Sequence, residues 1–223
     1  SFNQEIKVDG DKSLSIRWVL LASQTIGKCR AYNLLMSEDV FAAIDTIKKL
    51  GIKVKIYKNY CDIFGNGING FKYKKNLTIN AKNSGTLGRL ILGLLIKSPQ
   101  KIKLIGDKSL SKRDFSRVTI PLKKFGVKFF YKKKNKLPLS ILGSKSFRDV
   151  KYFENRGSAQ CKSSVMLAAL NSSGTTSIKA KKSRNHSELL FKYLKIPIKI
   201  KKTKKYDFID IKQPKKIKAF NYK

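Results

Sequence analysis

The stretch SEDVFAAIDTIKKLGIKVKI, residues 37–56, predicts a helix, a tight turn and a strand in that order. Its apolar residues recur up to Leu50 with the 3.6-residue period of an amphipathic helix. Ser37 offers a helix cap, and the two acidic residues after it favour the positive end of the helix dipole. Gly51 is the residue type that commonly ends a helix. Apolar side chains and lysines then alternate over 52–56, which is the period of a half-buried strand.

The same pattern occurs three times along the chain. The helix-to-strand junction recurs at 114–131, DFSRVTIPLKKFGVKFFY, and at 185–201, NHSELLFKYLKIPIKIK. The position of Gly51 is taken by a glycine in the second copy and by a proline in the third. Each copy is preceded by another helix that is almost wholly apolar, and VMLAAL at 165–170 is the clearest example. Because a helix that is apolar all round is buried, the repeat predicts three central helices with sheets outside them.

The predicted fold is therefore an α/β globule with approximate three-fold internal symmetry. It consists of three repeated βαβαββ-type units with buried parallel helices and sheets outside. Besides the strands of the repeat, the sequence predicts strands at 59–65, 76–80, 139–142 and 208–212. The whole chain, 1–223, is predicted to form a single three-repeat lobe with units over about 6–65, 76–142 and 150–212.

The charge of the chain is strongly positive. Fifty Lys and Arg against 14 Asp and Glu give a formal charge of +36, which indicates anionic partners or an unusual background composition. The lysines fill polar positions throughout, as at Lys53 and Lys55, whereas nucleic-acid binders concentrate cations and stacking aromatics on one face. No specific nucleic-acid partner is expected, but a basic nucleic-acid-binding module remains an alternative.

Several classes of protein are disfavoured by composition. Three cysteines without a CxxC pair indicate a reducing compartment, with neither a disulfide framework nor a zinc site. The single histidine disfavours a His-based metal site, and no cofactor is implied. No signal peptide is visible, and the longest apolar stretch, 90–96, is too short to span a bilayer. A cytoplasmic protein without membrane contact is expected.

Polar groups with the character of an anion site recur where the predicted helices begin. Helix starts carry free amides and a positive dipole end, and small residues allow a ligand to approach the backbone. Any one such group could be a simple cap, but four of them at related positions predict convergence on one anionic pocket. The groups are GDKSLSIR (10–17), NSGTLGRL (83–90), GDKSLSKR (106–113) and GSAQCKS (157–163).

These motifs, together with SRNHSE at 183–188, resemble signatures of the 5-enolpyruvylshikimate-3-phosphate synthases, or 3-phosphoshikimate 1-carboxyvinyltransferases. The resemblance runs in order from about residue 6 to residue 223 and favours the class II branch. It implies one lobe of the enolpyruvyl transferase fold. It also implies transfer of the enolpyruvyl group of phosphoenolpyruvate to the 5-hydroxyl of shikimate 3-phosphate, a step of aromatic amino-acid biosynthesis.

The resemblance also implies site residues. Those matching shikimate 3-phosphate ligands are Lys12, Ser13, Arg17, Ser158, Ala159, Gln160, Ser183 and Arg184. Those matching phosphoenolpyruvate ligands are Lys12, Gly85, Thr86, Arg113 and Gln160, and Lys12 is also the catalytic candidate. Asn83 and Arg89 match structural or near-site positions, and His186 is expected to orient or pack. Asp114 stands where the family usually has proline, which places an acid beside Arg113.

Relatives in the resembling family have about twice this length and two lobes with the active site between them. The resemblance therefore implies that this chain is a partial, N-terminal half that is inactive alone. Residues 213–223 are expected to start a crossover to an absent second lobe. The complete enzyme is expected to be a monomer. One alternative is a UDP-N-acetylglucosamine enolpyruvyl transferase, although Lys108 stands where that family has a cysteine. In the resembling family a methyl group at the position of Gly85 crowds the inhibitor glyphosate, so this chain is expected to form a glyphosate-sensitive pocket.

Overall fold

The structure is a computed structural model that describes residues 10–145 and 148–222. The first unit comprises α1 (Lys12–Ala22), β1 (Ile26–Tyr32), α2 (Glu38–Lys49), β2 (Lys53–Ile56) and β3 (Tyr60–Asn66). The second comprises β4 (Thr78–Asn80), α3 (Gly85–Leu94), β5 (Ile102–Ile105), α4 (Lys108–Lys112), α5 (Ser116–Lys123), β6 (Lys128–Tyr131) and β7 (Leu139–Leu142). The third comprises β8 (Val150–Glu154), α6 (Ala159–Ala169), β9 (Thr176–Lys181), α7 (His186–Tyr193), β10 (Ile198–Lys202) and β11 (Tyr206–Ile211), and β12 (Asn221–Tyr222) follows.

The strands form three four-stranded sheets that share one topology. In every sheet a central strand has a parallel neighbour on one side and an antiparallel neighbour on the other, followed by one more antiparallel strand. The orders are β12-β1-β3-β2, β4-β5-β7-β6 and β8-β9-β11-β10. The predicted α/β architecture with three-fold repetition is confirmed, and the additional strands predicted from the sequence are present as β3, β4, β7 and β11.

The first sheet obtains its parallel edge strand from the far end of the chain. In the second and third sheets this place is held by β4 and β8, which precede the buried helix of their own unit. In the first sheet it is held by β12, in which Asn221 pairs with Arg30 and Tyr222 with Ala31. The predicted start of the first unit at residue 6 lies outside the described residues. That 213–223 begins a crossover stays a prediction.

The three apolar helices α1, α3 and α6 lie in the core, as the sequence predicts. Helices α3 and α6 pack so closely that a Cβ built on Gly93 would lie 2.2 Å from the carbonyl oxygen of Ser164. A second contact ties the same helices together, since Ser164 Oγ donates to the carbonyl of Arg89 at 2.9 Å. This close packing brings the starts of two central helices to the same region.

The helices of the described residues are short, and α2 with 12 residues is the longest of them. None in that part of the chain is long and apolar enough to cross a membrane. Over the same residues, no three His, Cys, Asp or Glu side chains are grouped in a way that could hold a metal ion.

Candidate active site

Each of the three central helices begins inside one of the polar motifs and is capped by a side chain of that motif. Asp11 Oδ1 accepts from the amide of Leu14 at 2.7 Å at the start of α1. Ser84 and Ser158 cap α3 and α6 in the same way, at 3.2 and 3.3 Å. A cap satisfies only one of the amides left free at a helix start, so the remaining amides and the dipole still favour an anion.

The guanidinium of Arg17 is held by three protein oxygens. Nε donates to Ser187 Oγ at 3.0 Å, Nη1 to the carbonyl of Ser13 at 3.0 Å, and Nη2 to Ser163 Oγ at 3.1 Å. These contacts come from α1 itself, α6 and α7. Since all three acceptors are uncharged, they fix the orientation of the guanidinium without neutralising it.

Burial dominates the electrostatics of Arg17, which is only 4% exposed. Burial lowers the pKa of Arg17, while the negative charges of Glu188 and Asp11 act to raise it and the charge of Arg184 lowers it further. Because the usual pKa of arginine is above about 12, the side chain remains a cation at neutral pH. A buried cation with neutral hydrogen-bond partners is stabilised when an anion approaches it.

A cleft of about 340 Å³ lies beside Arg17, where α1, α6 and α7 begin. It is lined by Ser13, Arg17, Gly157, Ser158, Ala159, Gln160, Ser183, Arg184 and His186. Seven of the eight residues that the sequence predicts for shikimate 3-phosphate are therefore brought together. The exception is Lys12. The volume is that of a small-molecule site.

Two buried polar atoms in the wall of this cleft have no hydrogen-bond partner among the described residues. They are Ser183 Oγ and His186 Nδ1. Buried polar atoms are paired in the great majority of cases, so these two are exceptions at the edge of the cleft. Burial lowers the pKa of His186, and the charges of Arg17 and Arg184 contribute in the same direction. The imidazole is thus neutral at pH 7 and has one donor and one acceptor nitrogen.

Gln160 links this cleft to the start of α3. Its Oε1 accepts from Nη1 of Arg89 at 2.8 Å, and its Nε2 donates to Thr86 Oγ1 at 3.0 Å. The same Nη1 of Arg89 donates to the carbonyl of Gly85 at 3.3 Å. Gln160, which the sequence predicts for both substrates, therefore lies between the residues predicted for each of them.

Gly85 lies where two guanidinium groups converge. A Cβ built on it would be 2.8 Å from Nη1 of Arg89 and 3.0 Å from Nη1 of Arg113. Arg113 also donates from Nη2 to Asn83 Oδ1, at a long 3.4 Å. Two cations around one backbone position without a side chain form a place that favours a small anion.

Lys12 lies apart from the cleft. Its Nζ pairs with Asp39 Oδ2 on α2 at 3.1 Å, and the lysine side chain is 55% exposed. An exposed ion pair contributes about 0–1 kcal/mol, so this contact would be exchanged for a ligand at little cost. The catalytic role predicted for Lys12 stays a prediction.

Asp114 forms no ion pair with Arg113 within the described part of the chain. Its carboxylate accepts from the amide of Ser116 at 2.8 Å and from the hydroxyl at 2.5 Å. Burial acts to raise the pKa of Asp114, but the hydrogen bonds from Ser116 and the charges of Arg117 and Arg156 outweigh it and lower the pKa. The acid beside Arg113 is therefore engaged by its own helix start.

Sequence reasoning did not identify Ser163 and Ser187 as the residues that hold Arg17. Ser163 lies four positions after Ala159, hence on the same face of α6, and this spacing was the available signal. Ser187 lies inside the SRNHSE motif at 183–188, but nothing in that motif indicates a contact with Arg17. Arg89 was predicted only as a structural or near-site residue, and its guanidinium donates a hydrogen bond to Gln160.

Another cleft, of about 350 Å³, lies in the first unit between the ends of β1 and β2. Its wall is mostly aromatic and apolar, with Tyr57 and Tyr60 stacked at 4.4 Å between ring centroids. Lys58 is its one cationic side chain among the described residues. A cleft of this composition is a poorer match for an anion than the one beside Arg17.

The chain has close relatives in sequence. The 3-phosphoshikimate 1-carboxyvinyltransferase of Streptococcus mutans serotype c is 37% identical over 189 residues, which are 84% of this chain and 44% of that protein. The protein of that name from Streptococcus pyogenes serotype M1 is 40% identical over 185 residues, covering 82% of this chain and 43% of its own length. The chain thus spans less than half the length of these curated relatives.

Its fold also has a close solved counterpart. The structure of EPSP synthase from Acinetobacter baumannii superimposes with a TM-score of 0.88 at 28% identity, covering 97% of this chain and 48% of that one. A family model described as EPSP synthase (3-phosphoshikimate 1-carboxyvinyltransferase) matches residues 1–223. With its whole length matched and its three repeated units superimposed, the chain belongs to the EPSP synthase family.

Proposed function

We propose that this chain is the shikimate 3-phosphate-binding half of a 3-phosphoshikimate 1-carboxyvinyltransferase. The complete enzyme transfers the enolpyruvyl group of phosphoenolpyruvate to the 5-hydroxyl of shikimate 3-phosphate and releases phosphate. The observation that carries this proposal is the Arg17 guanidinium, buried, fixed by three neutral oxygens and opening on a cleft with Arg184. Family membership supports shikimate 3-phosphate over a UDP-sugar as the ligand.

In this proposal the cleft recognises the substrate by charge and by directed hydrogen bonds. Arg17 and Arg184 supply two positive charges for the anionic substrate, with Ser183 and Arg184 assigned to its phosphate, and His186 lines the cleft beside them. Ser13, Ser158, Ala159 and Gln160 complete the contacts from the starts of α1 and α6. Prearranged donors of this kind bind an anion without reorganisation of the protein.

Phosphoenolpyruvate is assigned to the neighbouring region around the start of α3. Gly85 allows its carboxylate or phosphate to approach the backbone, Thr86 lines the site, and Arg113 supplies charge. Gln160 contacts both substrates, and Lys12 leaves its exposed partner Asp39 to reach them. These groups stabilise the negative charge that develops as the tetrahedral intermediate forms and collapses.

Proton transfer is assigned to a second lobe. The hydroxyl adds to C2 of phosphoenolpyruvate while C3 is protonated, and both events need an acid or base within hydrogen-bond reach. None of the described residues that line the cleft is a carboxylate. The chain alone is therefore expected to bind shikimate 3-phosphate but not to release phosphate from the two substrates.

Titration calorimetry of the purified chain with shikimate 3-phosphate tests the proposal. Saturable binding is expected, with an affinity that falls by about tenfold or more in Arg17→Ala, since a charged partner contributes a few kcal/mol. Arg148→Ala is the matched control, because this exposed arginine precedes β8 and lies outside the cleft. Absence of saturable binding at millimolar ligand would contradict the proposal. Binding of UDP-N-acetylglucosamine instead, or of nucleic acid with sequence preference, would favour the alternatives.

A further inference from the structure

Lys162 and Glu188 form an ion pair that is buried between α6 and α7. Nζ and Oε1 are 2.5 Å apart, and the two side chains are 0% and 5% exposed. Nζ makes no well-angled hydrogen bond, and Oε2 has no partner, among the described residues. Among the described residues, each of the two groups has the other as its one ion-pair partner. Since desolvation offsets most of the attraction in such a pair, net stability is a weak explanation for it.

The pair is adjacent in sequence to the two serines that hold Arg17. Lys162 precedes Ser163 in α6, and Glu188 follows Ser187 in α7. The two serines are joined to each other, because Ser187 Oγ donates to Ser163 Oγ at 2.7 Å. Of the carboxylates that act on Arg17 through their charge, Glu188 has the largest effect.

We propose that Lys162 is a positioning residue for the buried cation of the cleft: it neutralises Glu188, so that Arg17 stays on the two serines and directs its charge into the cleft. Without Lys162, the buried carboxylate of Glu188 loses its ion-pair partner, and Arg17 is a nearby cation on which its charge acts. Arginine and carboxylate form strong, often bidentate pairs. Such a pair turns the guanidinium away from Ser163 and Ser187 and cancels the charge that the substrate needs. This inference rests on the proposed function of the cleft.

Three variants of the full chain separate positioning from simple structural support. Lys162→Met leaves the carboxylate without its lysine. Glu188→Gln leaves the lysine without its carboxylate, and the double variant Lys162→Met/Glu188→Gln leaves neither charge. Both single variants strand a buried charge and are expected to lower the melting temperature. All affinities are therefore measured at a temperature where circular dichroism shows each variant to be folded. If Lys162→Met does not fold, Lys162→Gln, which keeps a donor but no charge, replaces it.

Only Lys162→Met is expected to weaken binding. Calorimetry should show a loss of affinity for shikimate 3-phosphate of about tenfold or more in Lys162→Met, and a value within about threefold of wild type in Glu188→Gln and in the double variant. In the ligand-free chain, the Nε–Hε NMR resonance of Arg17, assigned with Arg17→Lys, should move in Lys162→Met and return in the double variant.

Equal losses of affinity in Lys162→Met and Glu188→Gln would overturn the inference, because a purely structural pair predicts that both fail together. Unchanged affinity and an unchanged Arg17 resonance in Lys162→Met would overturn it as well. If the wild-type chain does not bind shikimate 3-phosphate, the proposed function fails. The Arg17 resonance then still decides whether Lys162 keeps Glu188 away from the guanidinium.

Discussion

The side-chain oxygen of Gln160 accepts a 2.8 Å hydrogen bond from Arg89, although the two residues are 71 positions apart. The amide nitrogen of Gln160 donates at the same time to Thr86. Both ends of the carboxamide are thus used, and its orientation follows from its partners, because only the oxygen can accept from a guanidinium. Helices α3 and α6 are joined at this point by a neutral group that leaves the positive charge of Arg89 in place.

Gln160→Glu should weaken binding of shikimate 3-phosphate without loosening the fold. The glutamate carboxylate has nearly the same shape as the carboxamide of Gln160 and pairs with Arg89, so the melting temperature should not fall. Its negative charge lies in the cleft and repels the substrate, so calorimetry should show affinity reduced by about tenfold or more. Gln213→Glu adds the same charge outside the cleft and should change the affinity by less than about twofold, since salt screens distant charges. Equal losses in both variants would mean that total charge alone governs binding.

Gly85→Ala should reduce inhibition by glyphosate in an enzyme assembled from this chain and the second half of the Streptococcus pyogenes relative. The added methyl group lies 2.8 Å from Arg89 Nη1 and 3.0 Å from Arg113 Nη1. Both atoms are ends of flexible side chains, so the fold should tolerate the change while the guanidinium groups move. The phosphoenolpyruvate pocket becomes smaller, and close-packed sites respond to a single methyl group.

The measurement is the inhibition constant for glyphosate together with the KM for phosphoenolpyruvate. Gly85→Ala should raise the inhibition constant by more than it raises the KM, because glyphosate is the longer of the two molecules. Gly88→Ala, one turn further along α3, is the control, since its Cβ would make an ordinary 3.4 Å contact with Phe115. Equal resistance of wild type and Gly85→Ala at inhibitor levels well above the KM would contradict the steric explanation.

Gly93→Ala should destabilise the fold more than any gain in helix propensity can offset. Alanine is favoured over glycine in a helix by about 1 kcal/mol. Here the new Cβ lies 2.2 Å from the carbonyl oxygen of Ser164, a backbone atom that cannot turn aside. Overpacking costs about 1–3 kcal/mol, and a backbone clash belongs at the upper end of that range. Urea unfolding should show a net loss of about 2 kcal/mol.

Gly88→Ala is also the control for stability, because alanine raises helix propensity at that position without a backbone clash. Its free energy of unfolding should change by no more than about 1 kcal/mol in either direction. If Gly93→Ala were as stable as wild type, α3 and α6 would have to separate without loss, and the close contact would not be a constraint on the core.

The repeated units could be predicted from the sequence because each carries its own local signals. In α2 and β2 the two periods of apolar residues follow one another within 20 positions, and Gly51 with φ +87° marks the turn between them. The strand β12 had no such signal. It has two residues, and its place beside β1 depends on pairing with Arg30, 191 positions earlier. Long-range pairing of a short strand leaves no period in the sequence.

The cleft could be predicted only in part, for a similar reason. Capping residues and small residues at a helix start are local features, so Ser158 and Gln160 were recognisable as site candidates. The partners of Arg17 are not local: Ser163 and Ser187 reach it across 146 and 170 positions, through the packing of three helices. The pairing of Lys12 with Asp39 likewise depends on how α1 and α2 pack, which no motif encodes.

The titration of His186 should report directly on the cleft, because it is the single histidine of the chain. Burial and the neighbouring charges of Arg17 and Arg184 lower its pKa below the ordinary value of about 6.5. The unfolded chain therefore binds this proton more readily than the folded one. It follows that the contribution of His186 to stability is intact above about pH 6.5 and is lost as pH falls from there through the folded-state pKa. His186→Asn should show a smaller loss of melting temperature over that range.

Shikimate 3-phosphate should raise the pKa of His186, since a phosphate dianion bound near the ring stabilises the imidazolium form. The ring C2–H resonance, followed by NMR from pH 8 to pH 5 with and without ligand, measures both values in one sample. In ligand-free Arg17→Ala the pKa of His186 should rise, because one of the positive charges that lower it is gone. A pKa of about 6.5 or more in the ligand-free chain would contradict the burial of the ring beside two arginines. A pKa that does not move at saturating ligand would place the phosphate away from His186, and hence away from the two arginines whose charges act on that ring.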